Sequence, residues 1–358
     1  MEKDNLYIEK TFQLAARARG FTSPNPMVGA VIVKKNKICA VGFHKRCGQP
    51  HAEIQAIKKL DPKTLSGSTI YINLEPCFCF GHTSPCVDMI IEKKIKRVVI
   101  SSLDPNPKTK GKSVRKLRSH GIEVKTGVLK FKAKELNEIF FKNMTKGLPF
   151  VAAKFAQSLD GKIATASHES KWITQKKTRD YAKGLRDKYD AVLVGVNTVN
   201  SDDPKLYGGR RALKRIVIDP NLRINPKSRI VRENPDKLIL ITLMANLKKA
   251  KKLNPKISII GIRKTKQSCI DLKQALKKLY ANSITSIFVE GGSFTLGRFF
   301  QAGLVDKAYI FLAPIIIGGK DSLSSVGAKG CESLTDAAKA KTLKIQQIGR
   351  DLLLTAHF

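Results

Sequence analysis

The stretch of residues 69–94 reads TIYINLEPCFCFGHTSPCVDMIIEKK and decides the fold of the surrounding chain. Its first part, Thr69–Leu74, is rich in β-branched and aromatic residues, which predicts a strand. Its last part, Cys86–Lys94, is predicted to be a helix, and the proline before it suits a first helical turn. The loop between them holds two Pro-Cys pairs, which end in Cys77 and Cys86. A strand, a cysteine-bearing loop and a helix are therefore expected in that order.

Strand and helix patterns alternate on both sides of this stretch. A hairpin is indicated where Lys35-Asn36-Lys37 separates two β-rich runs, and Asp4 is placed to cap the first helix. The alternation predicts an α/β layer fold with a largely parallel sheet. The other predicted helices are Asp4–Arg19, Ala52–Leu60, Ser113–His120, Ala133–Thr145, Thr178–Lys188 and Phe294–Phe300. The other predicted strands are Met27–Lys34, Ile38–Phe43, Arg97–Ser102, Ile122–Thr126, Phe150–Ala156, Ala191–Val196, Arg215–Ile218, Leu238–Ile241, Ile257–Ile260, Ser286–Glu290, Ala308–Leu312 and Leu352–His357.

The length of the chain indicates two domains. It has 358 residues, and a globular domain takes roughly 150. Residues Met144–Pro149 (MTKGLP) form a candidate boundary, after which the strand and helix pattern restarts. No internal repeat relates the two halves, so two different domains are expected, over residues 1–147 and 148–358.

Basic residues dominate the charge: 66 Lys and Arg stand against 29 Asp and Glu, for a formal net charge of +37. Such a balance fits either a nucleic-acid partner or a small anionic substrate attracted by the positive field. The lysines spread through both halves and lack the interleaved aromatic residues on which bases stack. Solvated lysine-rich faces are therefore the simpler interpretation, and nucleic-acid binding is not expected.

Cysteine use and apolar patterning predict a cytoplasmic protein. The seven cysteines are odd in number, and no apolar run follows Met1, so neither a disulfide scaffold nor a secretory signal is expected. No apolar run reaches the ~20 residues that span a bilayer. Three cysteines cluster between Cys77 and Cys86, which indicates metal or redox chemistry in a reducing compartment.

Four residues form a candidate zinc site: His51, Glu53, Cys77 and Cys86. A catalytic zinc takes imidazole and thiolate ligands and leaves one position for water, which one histidine and two cysteines satisfy. Helix N-termini favour thiolates, and bound zinc lowers the pKa of its water toward neutrality. Glu53 is then placed to carry a proton to a leaving amine. This His-x-Glu and Pro-Cys pattern is that of zinc nucleobase deaminases; the alternatives are Cys79 as a ligand, or ordinary core residues.

Four motifs of the first half resemble the bifunctional deaminase–reductase of riboflavin biosynthesis. They are residues 22–30 (TSPNPMVGA), 50–53 (PHAE), 74–77 (LEPC) and 104–107 (DPNP). The resemblance implies a cytidine-deaminase-like three-layer α/β domain. It also implies that Asn25 and His44 contact a pyrimidine. Without the resemblance, Asn25 would be interpreted as a turn former between prolines and His44 as a surface histidine.

The loop between the two cysteine ligands departs from that family. The family usually has Ser-His after the first ligand and then Gly-Arg/Lys-Thr-Pro-Pro-Cys. This chain has residues 77–86 as CFCFGHTSPC, so the ligands keep their spacing while the substrate-facing Ser and His are absent and His82 replaces the Arg or Lys. The departure concerns the substrate contacts rather than zinc binding.

The second half resembles the reductase of the same family, whose fold is like dihydrofolate reductase. The resemblance rests on residues 154–164 (KFAQSLDGKIA), 170–174 (SKWIT), 194–198 (VGVNT), 202–204 (DDP), 289–292 (VEGG) and 347–351 (QIGRD). Glycines between a strand and a helix let a phosphate approach the helix N-terminus, although a plain strand-to-helix turn has the same pattern. The sequence lacks the G-x-G-x-x-G fingerprint here, so a Rossmann dinucleotide fold is not expected.

This resemblance implies residue roles around NADPH and a phosphorylated substrate. Substrate binding falls to Lys154, Ser170, Arg186, Leu206 and Glu290, with Arg186 placed to pair with the phosphate. Cofactor binding falls to Ala156, Trp172, Thr198, Asp202, Gly291, Gly292 and Ser293. Core packing of Trp172 and a surface position for Arg186 are the structural alternatives. Two positions depart from the family: Pro220 replaces a usual Thr or Ser, and an Arg is shifted by one residue to Arg210.

The expected activity is a pair of consecutive reactions. Zinc-dependent hydrolytic deamination of 2,5-diamino-6-(5-phosphoribosylamino)pyrimidin-4-one precedes NADPH reduction of the ribosyl group to ribityl. A homo-oligomer is expected. Two alternatives stay open: a reductase whose deaminase domain has changed substrate, and a nucleic-acid base deaminase.

Overall fold

The computed structural model describes residues 2–78, 85–209, 213–265 and 270–358. Backbone contacts divide the chain into two compact units, Met1–Gly147 and Leu148–Phe358. Each unit has its own main sheet, and each main sheet draws its strands from one continuous segment of the chain.

The first unit is built on a five-stranded sheet. Its elements are α1 (Glu2–Ala16), β1 (Gly29–Lys34), β2 (Lys37–Phe43), α2 (Ala52–Ile57), α3 (Pro62–Leu65), β3 (Thr69–Leu74), α4 (Cys86–Glu92), β4 (Arg97–Ser102), α5 (Lys112–Ser119), β5 (Glu123–Thr126), α6 (Lys130–Leu136) and α7 (Glu138–Lys146). The strand order is β2-β1-β3-β4-β5. Strand β1 is antiparallel to both neighbours, whereas β3, β4 and β5 run parallel. The expected parallel arrangement is thus confined to these three strands.

Helices cover both faces of this sheet. Apolar side chains of α2, α4 and α5 pack on one face, and those of α1 and α6 pack on the other. Successive residues of a strand point to opposite faces, so Ile70 and Ile72 join the first cluster while Tyr71 joins the second. The three-layer arrangement implied by the resemblance is confirmed.

Helix α2 crosses β2 at a very short distance, and Gly42 makes this approach possible. A Cβ on Gly42 would lie 2.2 Å from the carbonyl oxygen of Ala52 and 2.7 Å from the amide nitrogen of Ala56. A larger residue would push the helix away from the close-packed sheet. The first turn of α2, where His51 and Glu53 lie, is therefore fixed against β2.

The predicted capping role of Asp4 is wrong. Helix α1 begins at Glu2, so Asp4 lies inside its first turn, and its side chain is turned toward the sheet. The carboxylate accepts hydrogen bonds from Arg97 at 2.9 and 3.1 Å, from Lys125 at 2.7 Å and from the Tyr71 hydroxyl at 3.1 Å. Partners that come from distant strands, which local sequence does not show, thus decide the position of Asp4.

The single helix predicted over Ala133–Thr145 is also wrong, because Asn137 divides it into α6 and α7. The side-chain oxygen of Asn137 accepts from the amide of Met27 at 2.8 Å, and its side-chain nitrogen donates to the carbonyl of Met27 at 3.0 Å. Asn73 donates to the same carbonyl at 2.9 Å. Asn137, at the break between α6 and α7, therefore holds the segment that leads into β1.

The second unit carries a nine-stranded sheet. Its elements are β6 (Phe150–Gln157), β7 (Lys162–Ala164), α8 (Lys176–Leu185), β8 (Ala191–Gly195), α9 (Val196–Asp202), β9 (Lys214–Ile218), α10 (Arg229–Arg232), β10 (Leu238–Leu243), α11 (Leu247–Ala250), β11 (Ser258–Ile262), α12 (Leu272–Ala281), β12 (Ser286–Val289), α13 (Ser293–Gln301), β13 (Lys307–Leu312), β14 (Leu323–Ser324), β15 (Thr342–Ile348) and β16 (Asp351–His357). The order β11-β10-β9-β8-β12-β6-β13-β16-β15 is parallel from β11 to β13, and β16 and β15 add antiparallel strands at one edge. The predicted, largely parallel sheet agrees with this unit.

Two apolar clusters fill the two faces of this sheet. Helices α12 and α13 pack on one face, and α9, α10 and α11 pack on the other. The predicted elements do not include α9, α12 or β15. Strand β15 is paired with β16 but buries only its last residue, Ile348. No helix among the described residues is long and apolar enough to cross a bilayer.

Candidate active sites

The three residues predicted to bind zinc meet at the starts of two helices. His51 precedes α2, Cys86 begins α4, and Cys77 follows β3. The Nδ1 atom of His51 lies 3.3 Å from the Sγ of Cys86 and 3.5 Å from the Sγ of Cys77. The Cys86 amide donates to the Sγ of Cys77 at 3.2 Å, and all three ligand atoms lie within 4.8 Å of one another. We call these three residues the ligand cluster.

The distances in the ligand cluster match those around a tetrahedral zinc. With bonds of about 2.05 Å to nitrogen and about 2.3 Å to sulfur, a tetrahedral ion separates its N and S ligands by about 3.5 Å. The observed separations are 3.3 and 3.5 Å. Hydrogen bonding to Cys86, and then to His51, holds the pKa of the Cys77 thiol well below its usual range. The donor set therefore fits zinc and leaves a fourth coordination position.

Glu53 lies beside the ligand cluster, in the first turn of α2, and is 3% exposed. Burial, reinforced by the nearby Cys77, raises the pKa of its carboxyl group to about 7. A carboxyl group that titrates near neutrality can both accept and return a proton. Glu53 thus has the position and the acidity of a proton carrier.

Asn25 and His44 lie next to the ligand cluster. The Asn25 side-chain amide lies 3.2 Å from the Nε2 of His44, and the Nδ1 of His44 lies 3.3 Å from the Pro50 carbonyl. The ring of His44 meets that of His51 edge to face at 5.4 Å. Burial lowers the pKa of His44, so the neutral ring donates from Nδ1 and accepts at Nε2. His44 is 2% exposed, which excludes the surface alternative.

Glu75 positions this site, and the sequence interpretation missed that role. Its buried carboxylate accepts from the backbone amides of Asp104 at 3.1 Å, Gly111 at 2.9 Å, Ser113 at 3.2 Å and Val114 at 3.4 Å. Glu75 lies two residues before Cys77, so it holds the loop before α5 and the first turn of that helix close to this ligand. An acidic residue before Pro-Cys was visible in the sequence, but its four donors come from the loop that follows β4 and from the start of α5.

Part of the altered loop between the two cysteines lies outside the described residues. Cys79, the alternative ligand, and His82 both fall there. Phe78 is described, and its ring centroid lies 5.7 Å from the ammonium groups of both Lys112 and Lys116. A cation over an aromatic face is a favourable contact, so the residue that replaces the usual Ser packs against two lysines of α5.

In the second unit, a cavity of about 770 Å³ lies beside the starts of α9 and α13. Its lining includes five predicted residues, namely Ser170, Thr198, Asp202, Gly292 and Ser293. The first amides of a helix are free to bind an anion, and the helix dipole favours negative charge there. This volume and the start of α13 fit a dinucleotide with its phosphates at Gly292 and Ser293.

The two adjacent glycines after β12 have different local functions. A Cβ on Gly291 would lie 2.5 Å from the Cβ of Thr295, whereas a Cβ on Gly292 would meet only the Thr198 hydroxyl, at 3.8 Å. Gly291 therefore allows the strand and α13 to pack closely. Gly292 faces open space opposite Thr198 and lines the cavity.

A second cavity of about 180 Å³ brings together Lys154, Arg186 and Glu290 with Ala156 and Trp172. Arg186 and Glu290 form a two-pronged ion pair through Nε and Nη2, and Arg186 also donates to the Tyr207 carbonyl at 2.8 Å. Burial raises the pKa of Glu290, but the charge of Arg186 outweighs it and the net shift is downward. Burial lowers the pKa of Lys154. The pairing leaves the half-buried amine of Lys154 beside a neutralised Arg–Glu pair.

The two cavities do not separate the predicted cofactor residues from the predicted substrate residues. Trp172 and Ala156, expected at the cofactor, line the second cavity, and Ser170, expected at the substrate, lines the larger one. Trp172 is 68% exposed, which excludes core packing. Leu206 lines neither cavity and packs in an apolar cluster instead. Arg210, the shifted arginine, lies outside the described residues.

Two further cations of the second cavity were missed by the sequence interpretation. Arg179 lies 4.1 Å from the ring centroid of Trp172, and Lys183 lines the cavity with it. Together with Lys176 and Arg186 they recur every three or four residues, which places them along one face of a helix and its extension. This periodic basic stripe is the signal that could have revealed them.

The two units together define an enzyme that joins a zinc-binding deaminase domain to a reductase domain. A model of the RibD C-terminal domain matches residues 149–354, and one of the cytidine and deoxycytidylate deaminase zinc-binding region matches residues 1–102. Riboflavin biosynthesis protein RibD of Aquifex aeolicus (strain VF5) is 42% identical over 99% of this chain and 98% of its own length. RibD of Escherichia coli (strain K12) is 35% identical over 98% of each chain.

A solved structure from Thermotoga maritima has the same fold throughout. It is described as a diaminohydroxyphosphoribosylaminopyrimidine deaminase/5-amino-6-(5-phosphoribosylamino)uracil reductase. Its TM-score is 0.87, its sequence is 36% identical, and the match covers 99% of both chains. The chain belongs to the RibD family of riboflavin biosynthesis. The predictions of a bifunctional deaminase and reductase, with zinc and NADPH as cofactors, are confirmed.

Proposed function

We propose that this chain catalyses two consecutive steps of riboflavin biosynthesis. The first is the hydrolytic deamination of 2,5-diamino-6-(5-phosphoribosylamino)pyrimidin-4-one in residues 1–147. The second is the NADPH-dependent reduction of the ribosyl group of the product to ribityl in residues 148–358. The observation that carries the proposal is the ligand cluster beside buried Glu53, in a chain that matches the Thermotoga maritima enzyme over 99% of both lengths.

In the deaminase site, His51 Nδ1 and the Sγ atoms of Cys77 and Cys86 would hold the zinc. When bound, this ion supplies an activated water for attack on the ring carbon that bears the amine. Glu53 accepts a proton from that water and delivers it to the leaving amine, which departs as ammonia. Asn25 and His44 orient the pyrimidine, since both lie at the edge of the cluster.

In the reductase site, Gly292, Ser293, Thr198 and Asp202 would hold NADPH. When bound, this cofactor would supply the hydride that reduces the sugar carbon of the ring-opened imine, whose nitrogen takes up a proton from solvent, and the chain positions the two partners. Ser170 lines the larger cavity, and Trp172, two residues further along the chain, lines the second cavity. Lys154 and Glu290 bind the sugar hydroxyls. The basic stripe, in which Arg186 is the member paired with Glu290, attracts the phosphate.

The remaining assignments belong to the same proposal. We place Gly291 beside the cofactor, as a residue that allows close packing. The side chain of Leu206 is buried in an apolar cluster, so we propose that its backbone contacts the substrate. The two cysteines of the ligand cluster form no disulfide, which favours a reducing cytoplasm. A homo-oligomer is proposed from the family resemblance alone, and nucleic acid has no role in either step.

A second candidate function is a reductase whose deaminase domain acts on another substrate. The position of Phe78 favours it, because an aromatic ring against Lys112 and Lys116 replaces a polar contact. Under this alternative the zinc chemistry would persist, while the diaminopyrimidine would not be bound productively.

Metal analysis combined with assays of both steps tests the proposal. The zinc-loaded wild type is expected to release ammonia from the diaminopyrimidine phosphate and to oxidise NADPH on the deaminated product. Glu53→Gln should abolish the first activity and leave zinc content and the second activity unchanged. Exposed Glu92→Gln is the matched control and should change neither. Wild-type protein that reduces the deaminated product but releases no ammonia would support the second candidate instead.

A further inference from the structure

Trp172 lines the second cavity from an exposed segment of the chain. Every residue from 166 to 172 is exposed, and Trp172 itself is 68% exposed. Its indole nevertheless forms part of the cavity wall together with Lys154 and Glu290. A large apolar side chain that borders a cavity and faces water is typical of a ligand-binding site. The orientation of this ring therefore matters for any ligand of the cavity.

Arg179 contacts the ring of Trp172 and also the chain beyond it. Its guanidinium carbon lies 4.1 Å from the ring centroid, and its Nη1 donates a hydrogen bond to the carbonyl of Thr174. Thr174 is buried, so the guanidinium connects the exposed indole to the anchored end of the segment that carries it. A planar guanidinium can stack on an aromatic face and donate directional hydrogen bonds at the same time.

Arg179 is itself held on a fixed part of the fold, in the first turn of α8. The amide of Gln175, just before that helix, donates to the carboxylate of Asp351 at 2.9 Å, and Asp351 is buried. The Thr178 hydroxyl donates to the carbonyl of Ile348 at 3.4 Å. These bonds tie the start of α8 to the turn between β15 and β16, so Arg179 is an anchored support for an exposed segment.

The acidic residue next to Arg179 pairs with other cations. Asp180 lies 3.3 Å from the ammonium group of Lys176 and 3.8 Å from that of Lys183. Within the part of the chain that the structure describes, no carboxylate forms an ion pair with Arg179. The guanidinium therefore keeps its contacts with the indole and with the Thr174 carbonyl.

We propose that Arg179 is a positioning residue, which holds Trp172 as a wall of the second cavity before the substrate binds. The inference rests on the proposed reductase function, which places the sugar of the substrate in this cavity. An indole with several orientations would have to be ordered when the ligand arrives, and the observed affinity falls with the fraction of protein that is already ordered. Arg179 thus contributes to affinity through Trp172.

The fluorescence of the full chain tests this role directly, because Trp172 is its only tryptophan. Arg179→Met should raise the acrylamide quenching constant of the free protein, since one face of the indole loses its cover. Calorimetric titration with the ribityl product of the second step measures binding without turnover. Arg179→Met should weaken this binding about 2- to 30-fold, the range of a cation–π contact from exposed to desolvated settings. Arg179→Lys keeps the charge without the planar fork and should lie between the two.

A double-mutant cycle distinguishes positioning from direct contact with the ligand. In a Trp172→Leu background, Arg179→Met should change the affinity for the ribityl product by less than a further factor of about two, because the ring on which Arg179 acts is gone. Lys177→Gln is the matched control. Lys177 is an exposed cation of the same helix that does not line the cavity, and its replacement should change neither quenching nor affinity.

Two results would overturn the assignment. One is an unchanged quenching constant in Arg179→Met, and the other is a loss of affinity in the Trp172→Leu background as large as in the wild type. If Arg179→Met does not fold, Arg179→Lys is judged by the same two measurements. A wild-type chain that does not bind the ribityl product would overturn the proposed reductase function itself, so the two failures are distinguishable.

Discussion

The substitution Glu75→Gln tests how strongly the buried carboxylate beside Cys77 supports the deaminase unit. In the structure this carboxylate is 4% exposed and accepts from four backbone amides. A glutamine has one acceptor oxygen, so two amides would face an NH₂ group and lose their acceptor. Each buried amide left unpaired costs about 1–3 kcal/mol, and the total expected loss for two amides is about 2–6 kcal/mol.

Urea unfolding with two probes measures this loss. Far-ultraviolet circular dichroism follows both units, and zinc release to a colorimetric chelator reports on the deaminase unit, because a two-domain chain need not unfold in one step. Glu75→Gln should lower the urea midpoint of the zinc-release transition and leave NADPH binding unchanged. The control is Glu92→Gln, whose side chain is 63% exposed and whose expected effect is within about 0.5 kcal/mol.

An effect of Glu75→Gln no larger than that of Glu92→Gln would refute this reasoning. If Glu75→Gln does not accumulate as folded protein, Glu75→Asp retains the charge on a shorter side chain and should be the milder variant. A Glu75→Asp chain less stable than the glutamine variant would show that shape, rather than charge and acceptor number, dominates at this position.

Three further outcomes are expected. Gly291→Ala should destabilise the reductase unit by about 1–3 kcal/mol through overpacking against Thr295, whereas Gly292→Ala should keep its thermal stability and weaken NADPH binding. Arg97 lowers the pKa of Asp4 well below its usual range, so this group stabilises the fold above its unfolded pKa of about 3.9 and loses that effect as the pH falls through its folded value. Asp4→Asn should therefore reduce the urea midpoint at pH 7 and narrow its difference from wild type in acid. Removal of zinc by a chelator should abolish ammonia release, expose two more titratable thiols and leave NADPH oxidation intact.

Each of these outcomes has a contrary result. Equal melting temperatures for Gly291→Ala and wild type would contradict the close packing of strand and helix. An Asp4→Asn deficit that grows as the pH falls would contradict the sign of the pKa shift. Loss of NADPH oxidation together with the metal would contradict a reductase site that needs no zinc.

The metal site could be predicted from the sequence because its chemistry depends on residue types at short spacing. His51, Glu53, Cys77 and Cys86 stand next to prolines and helix starts, and the structure places their atoms together. Glu75 could not be assigned in this way, since its four donors belong to a loop and a helix start 29 to 39 residues away, and hydrogen bonds between distant segments leave no local pattern.

The fold was predictable to a similar extent. Buried parallel strands such as Leu238–Ile241 are continuous apolar runs and are easily recognised. Strand β15 was missed because it is stabilised by pairing with β16 rather than by burial. The break at Asn137 and the inward turn of Asp4 both depend on tertiary partners, which override helical preference.

The role of His51 as a zinc ligand has a consequence for helix α2, which follows it. His51 occupies the N-cap position of α2, but its side chain makes no capping hydrogen bond there. A capping side chain would contribute about 1 kcal/mol, and the imidazole is instead directed at the two thiols. Local opening of the first turn should therefore depend on the free zinc concentration, because a ligand that binds only the closed state stabilises it by mass action. Amide hydrogen exchange in residues 52–57 would accordingly report metal occupancy within an intact, folded chain.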